Sequence, residues 1–311
     1  MKKLKKFFNR LFSSASLPAH SRIFDVEASR RCNISCKFCP RENMKKIGMM
    51  EPGTFDNFLK NARLRSHDTV TFCGLGEPLL NPSLPGFVTQ LRNRYHHFNI
   101  GIITNGTLLN PHTVTSLLDA QINSIMVSFN GIDAQTYENL TKGARFTDTL
   151  AKLEYTQGEI LKRKNPGTRG TQLLVTFILS RENLHLEEKI KAFWYAKGMR
   201  SVPQYMHNRG GFVDINGIGM SPVYSGEPAG APVQSCAVFE NFNFIAWNGD
   251  VLVCCQDIQH RFVVGNINKD SMSLIHSRKA QIIKENKWPD ICRNCTEPNR
   301  LQPADDTGTY I

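Results

Sequence analysis

Short β-rich runs alternate with amphipathic helical stretches from residue 22 onward. The strand-like runs cover residues 23–28, 69–73, 100–104, 124–129 and 173–179. The helical stretches cover residues 53–63, 84–94, 111–119, 133–162 and 184–197. Because strands separated by helices of this length pair in parallel through βαβ crossovers, the first two hundred residues are expected to be α/β.

The alternation stops at Asp214. The segment from there to Ser235 holds four glycines and three prolines without periodicity, which is typical of a linker. Beyond it, residues 242–247 and 251–254 flank the hairpin-type turn Asn248-Gly249-Asp250, and a helix is predicted near residues 271–287. The expected organisation is an N-terminal extension at 1–21, a core at 22–213, a linker at 214–235 and a C-terminal domain at 236–311.

Charge and length narrow the class of protein. The chain has 311 residues and a net charge of +11, from 38 basic and 27 acidic residues. Five of the basic residues lie in residues 1–12, where apolar side chains recur at helical spacing. This segment is expected to be either a helix packed on its own protein or a basic amphipathic helix in weak contact with an anionic membrane surface. No secretion signal or membrane-spanning run is found, so a cytoplasmic protein is expected.

Eight of the nine cysteines fall into two clusters, which indicates metal binding rather than disulfides. The first cluster is Cys32, Cys36 and Cys39, spaced C-x3-C-x2-C directly after the first strand. Three thiols in one loop can hold three corners of a cubane iron–sulfur cluster and leave the fourth iron open to substrate. A structural zinc site is the alternative, but it would need a fourth ligand from elsewhere.

This spacing resembles the radical S-adenosylmethionine (SAM) superfamily. The segment Gly74-Leu75-Gly76-Glu77-Pro78 after the second strand is similar to the Gly-Gly-Glu-Pro motif of that family, with Leu75 in place of a glycine. Gly76 is expected to let the backbone approach a ligand closely, and Pro78 to stiffen the turn. The resemblance implies that Gly74, Gly76, Glu77 and Pro78 bind SAM, with the backbone around 75–77 receiving its amino group.

Two later strand ends also resemble the family. Thr104-Asn105-Gly106 closes the third strand, and Ser128-Phe129-Asn130-Gly131 follows the next, where the family has Ser-x-Asp-Gly. By resemblance, Asn105, Ser128 and Asn130 contact SAM. The family fold is a partial (β/α)6 TIM-like barrel, and its chemistry is reductive cleavage of SAM by a [4Fe-4S] cluster to a 5′-deoxyadenosyl radical that abstracts a substrate hydrogen.

The second cysteine cluster is expected to bind an auxiliary iron–sulfur cluster, with zinc as the alternative. Its ligands are expected to be Cys236, Cys254, Cys292 and Cys295. Cys254 and Cys255 are neighbours on a predicted strand and should point to opposite faces, so only one of them should bind. Glycine spacing favours Cys254. Cys255 and Cys73 are expected to be small buried apolar residues.

This half resembles the SPASM and twitch subfamilies of auxiliary-cluster domains. No cysteine follows Cys295, which is typical of the shorter twitch type with one [4Fe-4S] auxiliary cluster. The segments 209–214, 248–254 and 264–267 resemble the 2-deoxy-scyllo-inosamine dehydrogenases, which are twitch enzymes. That resemblance implies a substrate-binding role for Arg209; an interdomain salt bridge is the alternative role for this residue.

The function expected from these features is a radical SAM oxidoreductase acting on a small polar substrate such as an aminocyclitol, sugar or nucleoside. It would oxidise a hydroxyl to a ketone, with the auxiliary cluster accepting an electron and flavodoxin or ferredoxin as electron donor. Maturation of a ribosomal peptide is the alternative, although about 20 residues before the first strand leave no room there for a leader-binding domain. Sugar-acid decarboxylation or epimerisation is a further alternative.

A nucleic-acid or non-catalytic metal-binding module is a competing class, suggested by the basic charge and the cysteines. It would interleave aromatic and basic residues along a sheet or groove. The clearest run of that kind is confined to residues 1–12. No nucleic-acid partner is therefore expected. His207, Asp214 and Asp257 lie near the second cysteine cluster in sequence, but spacing alone assigns none of them as a general acid or base.

Overall fold

The computed structural model describes residues 22–96, 99–163, 170–223, 233 and 236–297. The eleven strands are β1 Ile23–Val26, β2 Ser35–Cys36, β3 Thr69–Phe72, β4 Asn99–Thr104, β5 Ser124–Ser128, β6 Thr141–Lys142, β7 Gln172–Leu179, β8 Arg200–Tyr205, β9 Phe242–Ile245, β10 Asp250–Leu252 and β11 Val263–Asn266. The α-helices are α1 Pro52–Asn61, α2 Leu84–Arg94, α3 Pro111–Asp119, α4 Ala134–Leu140, α5 Phe146–Lys162, α6 Glu187–Ala196, α7 Ala237–Asn241, α8 Met272–Lys284 and α9 Asp290–Arg293. The predicted N-terminal extension and half of the predicted linker lie outside the described residues.

One nine-stranded sheet organises the molecule. Its strand order is β11-β10-β9-β1-β3-β4-β5-β7-β8. The six strands from β1 to β8 in this order are parallel, each joined to the next by a helical crossover. The α/β fold with a mostly parallel central sheet is therefore confirmed. Among the described residues, no helix is long and apolar enough to cross a bilayer.

Because side chains alternate along the strands, the sheet has one face that packs against the helices. The opposite face turns to the interior of the fold and is called the lumen. In β1, Phe24 and Val26 are fully buried, and the Phe24 ring meets the ring of Phe58 on α1 edge-on. Asp25, between them, therefore points away from the helices. In β3, the ring of Phe72 packs against Phe55 of α1 in a tilted arrangement. The helical face of the sheet is thus apolar, while polar side chains of these strands turn to the lumen.

The structure corrects the sequence-based elements in two places. Strand β8 was not predicted; it carries Pro203, which has no N–H, and it lies at the edge of the sheet where that loss is tolerated. The single helix predicted over 133–162 is broken after Leu140. The break lets Thr141 and Lys142 pair with Ser35 and Cys36 of the first cysteine loop.

The C-terminal hairpin continues the central sheet. Strand β9 pairs in parallel with β1, and β10 and β11 follow as antiparallel neighbours. The turn between β9 and β10 has Gly249 at φ +88°, as the Asn-Gly sequence predicts. Strand β10 ends at Leu252, so Cys254 and Cys255 lie in the turn that follows it. The prediction that both cysteines lie on the strand is therefore wrong.

Candidate active site and iron–sulfur centres

The first cysteine loop follows β1 and is fixed at its centre by the β2–β6 ribbon. Cys36 lies on β2, and the N–H of Cys39 donates to the Cys36 carbonyl at 3.1 Å. Burial, and then the neighbouring Cys39 and Cys32 thiols, raise the pKa of Cys36 to about 12. Burial is also the main cause that raises the pKa of Cys32. The three thiols therefore lie close together, at the end of the sheet where parallel strands terminate.

This set of donors fits an iron–sulfur cluster. Thiols that crowd together with raised pKa values become stable thiolates only when positive charge is added among them, and cluster irons supply such charge. Cys32, Cys36 and Cys39 are the residues that would hold the three irons. Among the described residues, no three His, Cys, Asp or Glu side chains are gathered closely enough to hold a single metal ion.

Glu77 joins the turn after β3 to the end of β4. Its side chain is 1% exposed and accepts hydrogen bonds from the hydroxyl of Thr104 at 2.7 Å and from the N–H groups of Asn105 at 2.7 Å and Leu79 at 3.1 Å. Burial raises the pKa of this carboxyl to about 7 against these hydrogen bonds. With its oxygens occupied in this way, the Glu77 side chain positions the turn, and contact with a ligand falls to the main chain around it.

Asn105 lies between this turn and the first cysteine loop. Its side-chain amide donates to Asn33 at 3.0 Å, and it lies 3.9 Å from the Cys32 sulfur. Glu77 and Asn105 therefore hold the cysteine loop, the Gly-Glu-Pro turn and the end of β4 in one arrangement. Pro78 is buried at the start of a 3-10 turn directly behind them.

Two glycines of the turn are required by contacts with the chain itself. A Cβ on Gly76 would lie 2.2 Å from the carbonyl oxygen of Ser29, and one on Gly74, at φ +154°, would lie 2.8 Å from the Glu27 side chain. The sequence predicted that Gly76 serves close approach to a ligand. In the structure, the close approach is to the backbone of the first cysteine loop, which the N–H of Glu77 also contacts through Arg31 at 2.7 Å.

Ser128 and Asn130 lie at the end of β5, and they differ in how far their side chains are accessible to a ligand. The Ser128 hydroxyl is half-buried and lies 3.4 Å from that of Thr176 on β7, so it can also reach a ligand. Asn130 is buried, and its side-chain oxygen accepts the N–H of Ile178 at 2.9 Å. This bond gives Asn130 a part in tying β5 to β7, beyond the SAM contact that the resemblance implies.

The four auxiliary cysteines come together from three segments of the C-terminal half. The Cys236 thiol accepts the N–H groups of Val238 and Phe239 at the start of α7. Burial raises the pKa of Cys254 well above its ordinary value, and Cys255, Cys292 and Cys295 contribute to this rise. Cys236 in turn raises the pKa of Cys295. Four neighbouring thiols with raised pKa values fit a fully ligated iron–sulfur cluster on Cys236, Cys254, Cys292 and Cys295.

Arg209 lies on a left-handed turn that is fixed against the last auxiliary cysteine. Arg209, Gly210 and Gly211 have φ values of +51°, +66° and +91°. The Gly210 N–H donates to the Cys295 thiol, and Asn208 exchanges hydrogen bonds of 3.0 Å with Thr296. Among the described residues, no carboxylate lies within salt-bridge distance of the Arg209 guanidinium.

Asp25, Cys73 and Cys255 form a polar group in the lumen that the sequence did not reveal. The Cys73 thiol donates to the Asp25 carboxylate, whose pKa burial raises to about 6. Burial, and then Asp25, raise the pKa of Cys255 to about 12, while Arg209 lowers it. Both cysteines are half-buried and lie beside charged groups, and Cys255 also packs against the apolar side chains of Phe244 and Leu252. The expectation of small apolar residues therefore holds only in part. The alternation of β1 was the available signal, since it places Asp25 opposite Phe24 and Val26.

A second polar group missed in the sequence connects the two halves of the chain. Arg30, in the first cysteine loop, is 1% exposed and pairs with buried Glu27 at 3.3 Å. Its guanidinium also contacts the Ile258 carbonyl and the His260 imidazole. Burial and Arg30 lower the pKa of His260 to about 4, so the ring is neutral at pH 7. Buried His207 and half-buried Glu297 form another contact between the two halves at 3.2 Å.

Asp214 and Asp257 both act as turn residues. Asp214 accepts the N–H of Gly217 at 3.0 Å, and Asp257 accepts the N–H groups of Arg261 and Phe262 at 3.0 and 2.7 Å. These hydrogen bonds fix both carboxylates in local turns and do not identify either one as a general base.

Two protein families match this chain. Residues 26–162 match the radical SAM superfamily, and residues 236–296 match SPASM, an iron–sulfur cluster-binding domain. The first match contains Cys32, Cys36, Cys39 and the turn of Glu77. The second contains all four auxiliary cysteines.

Two curated relatives illustrate different extents of similarity. A probable GTP 3′,8-cyclase of Methanothermobacter marburgensis is 30% identical over 118 residues, which are 38% of this chain and 38% of that protein. The chain thus spans about two fifths of the length of the cyclases it matches. The S-adenosyl-L-methionine-dependent 2-deoxy-scyllo-inosamine dehydrogenase of Niallia circulans is 23% identical over 283 residues, covering 88% of this chain and 92% of that protein.

Solved structures show the same fold over both halves of the chain. BtrN in complex with AdoMet and 2-DOIA superimposes with a TM-score of 0.58 at 21% identity, covering 89% of this chain and 93% of that chain. SuiB of Streptococcus suis, bound to the precursor peptide SuiA, superimposes with a TM-score of 0.62 at 13% identity, covering 94% and 73%.

Proposed function

We propose that this chain, a radical SAM enzyme with a C-terminal SPASM iron–sulfur domain, cleaves SAM and abstracts a hydrogen atom from a small polar substrate. The observation that carries the proposal is the grouping of Cys32, Cys36 and Cys39 beside Asn105 at the ends of the parallel strands. When bound there, a [4Fe-4S] cluster supplies one electron to SAM, which yields methionine and a 5′-deoxyadenosyl radical.

The SAM site is proposed to include the backbone of Gly74 and Gly76, with Asn105 and Ser128 on adjacent strand ends. Glu77, Pro78 and Asn130 complete this set, and the structure supports a positioning role for them. Ends of parallel strands are where open α/β sheets bind ligands, because loops and helix termini there leave main-chain polar groups free.

Oxidation of a hydroxyl to a ketone is proposed for the substrate. Cys236, Cys254, Cys292 and Cys295 would hold the auxiliary cluster, which would supply a one-electron acceptor. The alcohol carbon would lose a hydrogen atom to the deoxyadenosyl radical, the hydroxyl proton would pass to a base, and the remaining electron would pass to that acceptor. The coverage of the Niallia circulans dehydrogenase supports this outcome. Within this chain, Asp25, Arg209 and Glu297 are charged groups near Cys255 that a hydroxylated or amino-bearing substrate would meet.

A peptide substrate is the second candidate. It is favoured by the superposition on SuiB, which holds a precursor peptide and shares the fold over 94% of this chain. A peptide and a small polar substrate would present different groups to the side chains of the lumen. The polar group of Asp25, Cys73 and Cys255 favours a small polar substrate, because buried polar side chains are stabilised only by partners that hydrogen-bond with them.

The electron donor, the cellular location and the domain boundaries are also proposals. A flavodoxin or ferredoxin is the proposed reductant, and the cytoplasm the proposed location. The proposed domains remain a core at 22–213 and a cluster domain at 236–311, joined by a linker at 214–235. The sheet contact between β1 and β9 brings these two parts into one layer.

Anaerobic reconstitution tests the proposal. The wild-type chain is expected to bind about eight irons and, with dithionite, to release 5′-deoxyadenosine from SAM. Substrate class is tested by adding deuterated 2-deoxy-scyllo-inosamine or a peptide library and measuring deuterium in the 5′-deoxyadenosine. Zinc in place of iron, or reduced protein that leaves SAM intact, would contradict the proposal.

A further inference from the structure

A buried lysine lies beside the auxiliary cysteines. Lys279, on α8, is 4% exposed, although lysine is seldom buried without a compensating charge. Its ammonium donates to the main-chain carbonyl of Phe242 at 2.8 Å and lies 5.0 Å from the centre of the Phe239 ring. Both residues belong to the segment that begins at Cys236, so the cation is held against that segment.

The titratable neighbours of Lys279 are two auxiliary thiols and one carboxylate. Burial lowers the pKa of Lys279 to about 8, and Cys254, Cys236 and Glu240 act in the opposite direction. Within the part of the chain that the structure describes, no carboxylate forms a salt bridge with this ammonium. Phe239 connects the two groups directly, because its ring lies against Lys279 and its N–H donates to the Cys236 thiol.

This arrangement suits a negatively charged group on the cysteines. A buried ammonium is costly unless an opposite charge lies nearby, and four thiolates around an iron–sulfur core carry a net negative charge. The charge becomes more negative by one when the cluster accepts an electron. A fixed cation beside the cluster therefore stabilises the reduced form more than the oxidised form.

We propose that Lys279 is the counter-charge of the auxiliary cluster and raises its reduction potential, so that the cluster can accept the electron left on the substrate after hydrogen abstraction. The inference rests on the proposed function, which supplies both the cluster and the electron. One electron moves from the substrate radical to the cluster, and the hydroxyl proton leaves separately. Lys279 acts through its charge and contacts neither substrate nor SAM.

The test is a redox titration of the auxiliary cluster by EPR spectroscopy. It uses the full chain with Cys32, Cys36 and Cys39 replaced by alanine, so that only the auxiliary signal remains, with the wild-type holoenzyme as reference. Lys279→Met keeps the length of the side chain and removes the charge. We expect at least about a tenfold lower ratio of reduced to oxidised cluster at a given potential, equal to about 59 mV for one electron.

Two variants separate charge from packing. Lys279→Arg keeps the charge and should stay near the wild-type potential. Lys284→Gln removes an exposed charge from the same helix and should change nothing. Loss of the cluster in Lys279→Met but not in Lys279→Arg would also support the inference, because it would show that the cluster requires a positive charge at this position. An unchanged potential in Lys279→Met, or equal effects in Met and Arg variants, would overturn the inference. A wild-type chain that binds no auxiliary cluster would instead overturn the proposed function.

Discussion

The guanidinium of Arg30 contacts the imidazole of His260, although 230 residues separate them in the chain. Arg30 precedes the first cysteine motif, and His260 follows the auxiliary cysteine Cys254. The contact therefore links the loop of the proposed SAM-cleaving cluster to the proposed auxiliary domain. Buried Glu27 supplies the negative charge that makes an arginine tolerable at this position.

Removing the Arg30 side chain should destabilise the protein strongly. Arg30→Ala leaves the Glu27 carboxylate buried without its partner, and breaking such a pair costs about 3–5 kcal/mol. Urea unfolding followed by circular dichroism measures this loss. Arg31→Ala is the matched control, because Arg31 is exposed and should cost less than about 0.5 kcal/mol. Equal effects of the two variants would show that the buried network is not needed.

Two glycine substitutions should act in opposite directions. Gly210→Ala places a Cβ at φ +66°, and the strain should lower the unfolding free energy by about 1–2 kcal/mol and disturb the Arg209 turn. Gly158→Ala lies inside α5, where a Cβ meets nothing within 4 Å, and should stabilise by about 0.5–1 kcal/mol. Thermal unfolding compares both with the wild type. Stabilisation by Gly210→Ala would contradict the left-handed turn.

Substitution of Glu77 should affect both stability and SAM binding. Glu77→Gln replaces one acceptor oxygen with an NH2 group that faces either the Asn105 N–H or the pair formed by the Leu79 N–H and the Thr104 hydroxyl. A buried donor that loses its acceptor costs about 1–3 kcal/mol. Chemical unfolding gives the first effect, and isothermal titration with SAM the second. The prediction fails if Glu77→Gln binds SAM as tightly as the wild type.

The carboxyl group of Asp25 should make stability depend on pH. Its pKa is raised from 3.8 to about 6, so the folded protein holds this proton where the unfolded chain has released it. The stabilisation is complete below about pH 4 and is lost as pH rises to about 6, by on the order of 2 kcal/mol. Cys73 and Cys255 are titratable groups beside it, and Glu27 lies near Cys73.

Asp25→Asn imitates the protonated form and should remove this contribution. Unfolding free energies of the wild type and Asp25→Asn, measured at intervals from pH 4 to 7, should diverge as pH rises, with the variant becoming relatively more stable. Parallel curves for the two proteins would show that Asp25 ionises normally.

Loss of the first three cysteines should abolish SAM cleavage without removing all the iron. In Cys32→Ala/Cys36→Ala/Cys39→Ala, the proposed auxiliary ligands are intact, so roughly four irons should remain per chain. Iron analysis and chromatography of 5′-deoxyadenosine measure the two quantities. Cys73→Ala is the control, since Cys73 hydrogen-bonds to Asp25 and should leave the iron content unchanged. Retained cleavage in the triple variant would exclude this loop as the reaction centre.

Much of the framework follows from local patterns in the sequence. The strands β1, β3, β4, β5 and β7 were predictable because each alternates or concentrates apolar residues between turn signals. Strand β8 was missed because Pro203 interrupts its pattern, and the break after Leu140 was missed because helical periodicity continues across it. Both depend on neighbours distant in the chain, namely the sheet edge and the first cysteine loop.

By itself, the sequence determined the alternating α/β framework, the two groups of cysteines and the family resemblance, because these depend on residue spacing that can be counted along the chain. Only the tertiary structure decided that Gly76 serves the chain's own cysteine loop, that Asp25 and Cys255 share the lumen, and that Lys279 is buried beside the auxiliary thiols. These are contacts between segments far apart in sequence. Burial sets the charge state and partners of such side chains, and burial arises only when the sheet brings the segments together.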